Sequence, residues 1–180
     1  NQFVDSVERE TNMKFSIISG GNSSMIPQML YRDFGRINEL RIGETLFRGV
    51  ETTTNQSIAS LYQNAITLEA EIVEIKPRMN IATGHQYLQA IVDIGNLDTA
   101  VEDIQPLHHH ISIAGATSDH VMLDLLNQDY YQVGDKIQFS LGYKALAHSM
   151  YMVNLKKAYH HDEIIENLCN NFNVEKSNRF

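Results

Sequence analysis

Glycine and hydroxyl side chains follow a short apolar segment near the start of the chain. Residues 15–19 are apolar and β-branched, and residues 19–24 read Ser-Gly-Gly-Asn-Ser-Ser. This pattern predicts a strand that ends at the glycines and a helix over residues 25–31, capped by the polar residues before it. Unpaired N–H groups and the positive end of a helix point to one place in such a loop, which is typical of an anion pocket. A purely structural glycine turn has the same pattern, so both interpretations stay open.

A second loop of this kind follows in residues 38–43. Leu40 and Ile42 alternate with polar neighbours, which predicts a strand, and Arg41 lies beside Gly43 at its end. An arginine in this place can clamp an anion or donate to a ring nitrogen, although surface arginines more often form salt bridges. We therefore expect two strand ends with similar loops to converge.

Histidines form a second group of residues that could do chemistry. Residues 108–110 are three consecutive histidines, which we interpret as a solvated strand edge, because His108 and His110 would share a face that His109 does not. No cysteine or histidine spacing completes a metal site. Asp119 and His120 place a carboxylate and an imidazole side by side before the strand that begins at Val121. They are either proton-transfer groups or a polar turn.

The pattern of polar and apolar residues in the segments that hold these residues changes near Gly49. Residues 51–60 are polar without an apolar period, which indicates a linker. Alternation then predicts strands at residues 65–75, 88–94, 111–114, 121–125 and 137–141, and helices at residues 144–150 and 161–172. The predicted class is mainly β with flanking helices (α+β), built on an antiparallel sheet or barrel.

Composition narrows the functional classes. The chain has 180 residues, and 14 Lys and Arg against 22 Asp and Glu give a net charge of −8, which argues against a nucleic-acid partner. No apolar run approaches the roughly 20 residues that span a bilayer, so no membrane partner is expected. The single cysteine, Cys169, and the lack of a signal peptide favour the cytoplasm. The missing initiator Met suggests a trimmed chain or fragment.

Seven short motifs in fixed order carry a family resemblance. They occupy residues 19–24, 41–49, 61–63, 92–95, 115–120, 133–135 and 143–146. A chain with these motifs in this order resembles the C-terminal half of an amino-acid racemase that depends on pyridoxal 5'-phosphate (PLP). The resemblance is to the alanine racemase superfamily, in the branch that contains ornithine racemase. The resemblance implies a fold-type III PLP enzyme. Residues 1–48 would be the last strands and helices of a TIM-like barrel, and residues 49–180 the β-rich domain.

The resemblance assigns the cofactor contacts. Ser23, which follows Asn22 in an Asn-Ser pair, matches the phosphate-binding serine, and the backbone around Gly43 and Glu44 matches the second phosphate loop. Arg41 matches the arginine that donates to the pyridine nitrogen of PLP.

The resemblance also assigns residues of the β domain. Tyr143 matches a tyrosine that reaches the phosphate. Ser118 and Asp119 fall where the β domain of a partner subunit meets the substrate, so the complete enzyme is expected to be a homodimer. The resemblance implies a free amino acid as the substrate and suggests alanine or ornithine.

Two departures from the family pattern matter for the chemistry. Asn96 follows Ile94 and Gly95 where alanine racemases have a tyrosine acid/base, and a carboxamide cannot transfer protons. Asp119 or His120 would then serve the second face of the substrate. The lysine that binds the cofactor covalently lies upstream in this family, so the 180-residue chain alone is expected to be inactive.

Two other functions stay open. A metal-assisted lyase or aldolase of the D-threonine aldolase kind would use His120 with the histidines at 108–110. A non-catalytic β domain for ligand binding or assembly would also explain the missing lysine, but the retained phosphate-site residues argue against it.

Overall fold

The computed structural model describes residues 1–29, 31–63, 65–79, 81 and 83–159. Its elements are α1 (Gln2–Thr11), β1 (Ser19–Asn22), α2 (Ile26–Met29), β2 (Glu39–Arg41), α3 (Glu44–Arg48), β3 (Thr67–Met79), β4 (Gln86–Val92), β5 (Ile104–Pro106), β6 (Ser112–Ala116), β7 (Val121–Asp124), β8 (Lys136–Leu141) and α4 (Tyr143–Tyr151). Within this part of the chain, no helix has the length and apolar character needed to cross a membrane. The helix predicted at residues 161–172 lies outside the described residues.

The N-terminal elements form a small parallel sheet. β1 and β2 pair in parallel, with Ser19 opposite Glu39 and Asn22 opposite Arg41. A parallel pair directs the carboxyl ends of both strands to the same edge. The two predicted loops therefore leave the sheet side by side.

The other strands form a six-stranded antiparallel sheet in the order β5-β8-β3-β4-β7-β6. The two outer strands, β5 and β6, also contact each other, so the sheet is nearly closed. This confirms the predicted mainly β class and the predicted antiparallel sheet or barrel. Closure leaves little free strand edge and encloses one core.

β3 joins the two halves of this sheet. Residues 67–71 pair with β8 and residues 72–79 pair with β4, and the register shifts between Ile72 and Glu74. Such an irregularity bends a strand and increases its twist, which helps a sheet to curl. The alternation predicted from the sequence is present, because Leu68, Ala70 and Ile72 are buried.

The core lies inside the nearly closed sheet. Alternate residues of the strands point into it, and the largest fully buried side chains include Phe139, Ile137, Leu123 and Val121. The apolar positions of the predicted strands thus form the core, as alternation requires.

Two sequence predictions about local structure are wrong, and one strand was missed. The strand expected to end at the glycines begins at Ser19 instead, and Gly20 and Gly21 lie within β1. Residues 15–18 form no strand, because side-chain oxygens take the backbone N–H groups: Phe15 N donates to Glu8 at 2.9 Å, and Ile18 N donates to Asn38 at 2.8 Å. β5 was not predicted, since it has only three residues and one of them is a proline. The histidines at 108–110 lie in a turn after β5 and not at a strand edge.

A buried carboxylate connects α1 to the loop before β2. The Glu8 side chain is only 2% exposed and forms ion pairs with Arg36 at 2.7 Å and with Lys14 at 2.8 Å. The hydrogen bond from Arg36, then that from Lys14 and that from Phe15 N, lower the pKa of Glu8 to about 2. Asp5 adds a second bond to Arg36 at 2.6 Å.

This network makes the stability of the protein depend on pH. Because the pKa of Glu8 is lower in the folded protein than its ordinary value of 4.5, its contribution is complete above that value and is lost as the pH falls toward about 2. Glu8→Gln is therefore expected to lower the urea midpoint at pH 7, with a smaller difference from the wild-type protein at pH 3. Glu10→Gln on the same helix is the control, since Glu10 is exposed and forms no ion pair with a described residue. An equal shift at both pH values would contradict the prediction.

Candidate functional site

A hydrogen bond joins the loops that follow β1 and β2. Gly43 N donates to Ser23 Oγ at 3.2 Å, and Ser23 is only 7% exposed. The hydroxyl accepts this bond and keeps its own proton for donation to a ligand. The convergence expected from the sequence is confirmed.

Asn22 shapes the first loop. Its side-chain oxygen accepts from Ser24 N at 3.1 Å and from Ser24 Oγ at 2.7 Å. These bonds cap the 3₁₀ turn Ser23–Met25, which leads into α2. The side chain of Asn22 is thus used within the turn, as a cap residue typically is.

The second loop exposes backbone. A Cβ atom built on Gly43 would meet nothing within 4 Å, so the space beside this glycine is open. Glu44 begins α3, and its carboxylate pairs with Arg48, which also donates to Asn55 at 2.9 Å. Thr45 is fully buried, and its hydroxyl finds no hydrogen-bond partner among the described residues.

Arg41 ends β2 opposite Asn22 and is exposed. Its guanidinium makes no ion pair and no hydrogen bond within the described part of the chain. A cation with free donors therefore stands at the same edge as the two loops. This geometry suits a ligand that has an acceptor as well as a phosphate.

A turn between β6 and β7 carries the other predicted site residues. Thr117 N donates to His120 O at 2.8 Å, and His120 N donates to Thr117 Oγ1 at 3.1 Å. Ser118, Asp119 and His120 are exposed, and their side chains make no hydrogen bond to another described residue. The polar turn expected from the sequence is present, and it leaves the carboxylate and the imidazole open to a ligand.

The segment Gly95–Leu97 packs against this turn. Asn96 N and Nδ2 both donate to Thr117 O, at 3.0 and 3.1 Å, and Leu97 N donates to Ser118 O at 2.9 Å. A Cβ atom on Gly95 would lie 2.3 Å from Ser118 O. The carboxamide of Asn96 therefore supports the turn.

Tyr143 begins α4, which follows β8, and is 57% exposed. Its hydroxyl makes no hydrogen bond to another described residue. The carboxylate of Asp103 accepts from the next two backbone N–H groups, those of Lys144 at 2.9 Å and Ala145 at 3.1 Å. The sequence prediction missed Asp103. The available signal was Gly142, which precedes the helix and has no side chain to cap it.

A polar cavity of about 410 Å³ separates α3 from the start of α4. Its walls include Phe47 and Arg48 of α3 and Gly142 and Leu146 at the start of α4, with Asp103 beside them. The C-terminal end of α3 and the start of α4 thus border one space.

The histidine turn is linked to tyrosines. His110 Nε2 lies 2.8 Å from the hydroxyls of both Tyr130 and Tyr131. Burial, followed by the hydrogen bond with Tyr130, raises the pKa of Tyr131. Across the described residues, no group of three or more His, Cys, Asp or Glu is placed to hold a metal.

Two curated proteins are similar in sequence. The chain is 32% identical to an ornithine racemase from Acetoanaerobium sticklandii over 164 residues, which cover 79% of the chain and 46% of that enzyme. It is 28% identical to a lysine racemase from Thermotoga maritima over 175 residues, which cover 86% of the chain and 49% of that enzyme. The chain spans about half the length of the curated relatives it matches. No protein-family model matches it.

Solved structures share the fold. An alanine racemase from Pseudomonas aeruginosa matches with a TM-score of 0.64 and 17% identity over 89% of the chain and 52% of that protein. A D-threonine aldolase from Filomicrobium marinum matches with a TM-score of 0.55 and 17% identity over 82% of the chain and 38% of that protein. Because racemases and an aldolase both match, the fold does not choose between these reactions.

Proposed function

We propose that this chain is part of a PLP-dependent enzyme that racemises a free amino acid. The relatives described above confirm its resemblance to the C-terminal half of the alanine racemase superfamily. The observation that carries the proposal is the sequence likeness to racemases of ornithine and lysine over most of the chain. We further propose a basic amino acid as the substrate. The parallel pairing of β1 and β2 supports assigning residues 1–48 to a barrel and residues 49–180 to the β domain.

The residues at the edge of the small sheet fit PLP. Ser23 retains a hydroxyl proton for a phosphate oxygen, the open backbone at Gly43 gives a phosphate room to approach, and the buried hydroxyl of Thr45 lacks a partner among the described residues. Asn22 would hold the first loop in shape, and Glu44 would continue the second. Hydroxyl and backbone donors of this kind are the usual ligands of a phosphate.

PLP supplies an electron sink that weakens the bond between the α-carbon of the amino acid and its hydrogen. Arg41 would hold the ring nitrogen of the cofactor by donation alone. A guanidinium has no acceptor and does not give up its proton, so the ring nitrogen stays unprotonated. Arg41 would thereby moderate the electron sink and limit side reactions.

The second face of the substrate needs an acid/base group, which we propose to come from a partner subunit in a homodimer. Asp119 and His120 are the titratable groups of the exposed turn, and Ser118 would contact the substrate beside them. Either group would take the α-proton of one enantiomer on a carboxylate oxygen or ring nitrogen, and in the reverse direction it would give a proton back to that same face. Asn96 cannot exchange protons, and it supports the turn through Thr117.

Exchange of the α-proton tests this function. The protein from the complete gene, loaded with PLP, would be incubated in heavy water with ornithine, lysine, alanine and serine, and exchange would be followed by NMR. We expect exchange and racemisation of ornithine or lysine. Cleavage of a β-hydroxy amino acid that depends on a divalent metal would instead identify an aldolase, and no reaction of any kind would favour a binding module.

The serine pair provides a matched test of cofactor binding. Ser23→Ala removes the hydroxyl that faces Gly43 and is expected to weaken PLP binding about tenfold, the usual effect of losing a hydrogen bond to a charged group. Ser24→Ala removes only a bond to Asn22 and is expected to change the affinity much less. Titration of PLP absorbance gives both dissociation constants, and equal weakening by the two variants would contradict the assignment.

A further inference from the structure

The N-terminus of α4 is capped by a residue that is distant in sequence. The residue before the helix, Gly142, has no side chain to accept a bond from the first turn. Asp103 accepts from Lys144 N and Ala145 N with a single carboxylate oxygen, Oδ2, across 41 residues of chain. A negative group at this end of a helix satisfies free N–H groups and interacts favourably with the helix dipole.

The contact between Asp103 and Gly142 is close on the backbone side as well. Gly142 N donates to Asp103 O at 2.7 Å, and a Cβ atom at residue 142 would lie 2.0 Å from Asp103 Oδ1. Only glycine fits against this carboxylate. The backbone on both sides of Tyr143 is therefore held by the same residue.

A second attachment lies further along the helix. Ser149 Oγ donates to Thr99 Oγ1 at 2.9 Å, and both residues are buried. Residues 99–103 thus hold α4 at its start and near its end. With the helix axis fixed at two points, Tyr143 retains only its own side-chain rotations.

We infer that Asp103 is a positioning residue, which fixes the direction in which Tyr143 extends so that its hydroxyl reaches the phosphate of the cofactor. The inference rests on the proposed function. The cavity described above brings the C-terminal end of α3, at Phe47 and Arg48, and the residues around the start of α4 to one space. Asp103 itself acts through the backbone.

A double-mutant cycle on PLP affinity tests this inference in the complete gene product. We expect Asp103→Ala to weaken PLP binding about tenfold, as does Tyr143→Phe, because each removes the same contact to a charged group. If Asp103 acts through Tyr143, adding Asp103→Ala to the Tyr143→Phe variant causes no further loss. Asp103→Asn, which keeps an acceptor oxygen, is expected to restore part of the affinity and replaces Asp103→Ala in the cycle if the alanine variant does not fold.

Glu102→Gln is the matched control. Glu102 is the neighbouring carboxylate, and it pairs with the side chain of Lys144 and not with the helix backbone. We expect this variant to bind PLP like the wild-type protein. If Asp103→Ala causes the same loss of PLP affinity in the wild-type protein and in the Tyr143→Phe variant, Asp103 only supports the fold. That result would overturn the inference and leave the proposed function intact. A wild-type protein that does not bind PLP would overturn both.

Discussion

Replacing His120 with asparagine is expected to slow α-proton exchange that begins from one enantiomer of the substrate by about 10² to 10⁴-fold, the usual contribution of a general acid/base group. Exchange from the other enantiomer should continue, because its proton is removed on the opposite face. The reason is that Asn96, which we propose takes the place of a tyrosine acid/base, cannot transfer protons, whereas the exposed turn offers an imidazole. Exchange into deuterium from each pure enantiomer, followed by NMR, measures the two rates separately.

Asp119→Asn is the matched variant for this prediction. The two side chains are neighbours on the same turn, both are exposed, and both replacements keep hydrogen-bonding capacity while removing titration. A loss confined to the Asp119 variant would assign the role to the carboxylate. Unchanged exchange from both enantiomers in both variants would contradict the assignment of the second acid/base to this turn.

Gly95→Ala is expected to lower the free energy of unfolding by about 3 kcal/mol, since overpacking against backbone cannot relax as a flexible side chain does. The new Cβ atom would lie 2.3 Å from Ser118 O and 2.6 Å from the carbonyl carbon of Asp119. The turn must move away, so exchange activity should fall together with stability. Urea unfolding and the heavy-water assay measure the two effects on the same preparation.

Gly115→Ala is the control for this substitution. Its Cβ atom would meet only the terminal methyl of Met122, at 3.0 Å, and an unbranched methionine adapts easily. We expect a change within about 1 kcal/mol and normal activity. Similar losses of unfolding free energy in the two variants would show that the close approach of Gly95 to the turn does not determine the stability of the protein.

The shared edge of the small sheet could be predicted because each of its segments is local, although β1 begins at Ser19 and contains the glycines that were expected to follow the strand. A strand, a glycine and cap residues lie within ten residues of one another, and a parallel pair brings the ends of both strands to one edge. The hydrogen bond between Gly43 and Ser23 follows from that arrangement. The packing of Gly95 and Asn96 determines which side chains of the turn at residues 117–120 face a ligand. Because these two residues are distant from the turn in sequence, this packing could not be foreseen.

The β strands were predicted to different degrees for a physical reason. Alternation identifies a buried face, as at Leu68 and Ala70, but it does not identify the neighbouring strand. The division of β3 between two partners, and the pairing of β8 with β5, depend on contacts across the whole domain. The segment at residues 15–18 is apolar, yet its N–H groups bind side chains of Glu8 and Asn38, so propensity alone predicted the wrong structure there.

The remote cap of α4 has a consequence for the order of folding. A helix of nine residues is marginal in water, and this one has no capping side chain of its own. Its first turn gains its acceptor only after Asp103 arrives, which requires β5 and β8 to pair and to close a segment of some forty residues. We therefore expect α4 to form after the transition state, so that mutations at its N-terminus accelerate unfolding and leave the folding rate nearly unchanged. The tyrosine assigned to the phosphate would then be among the last parts of the domain to reach its final position.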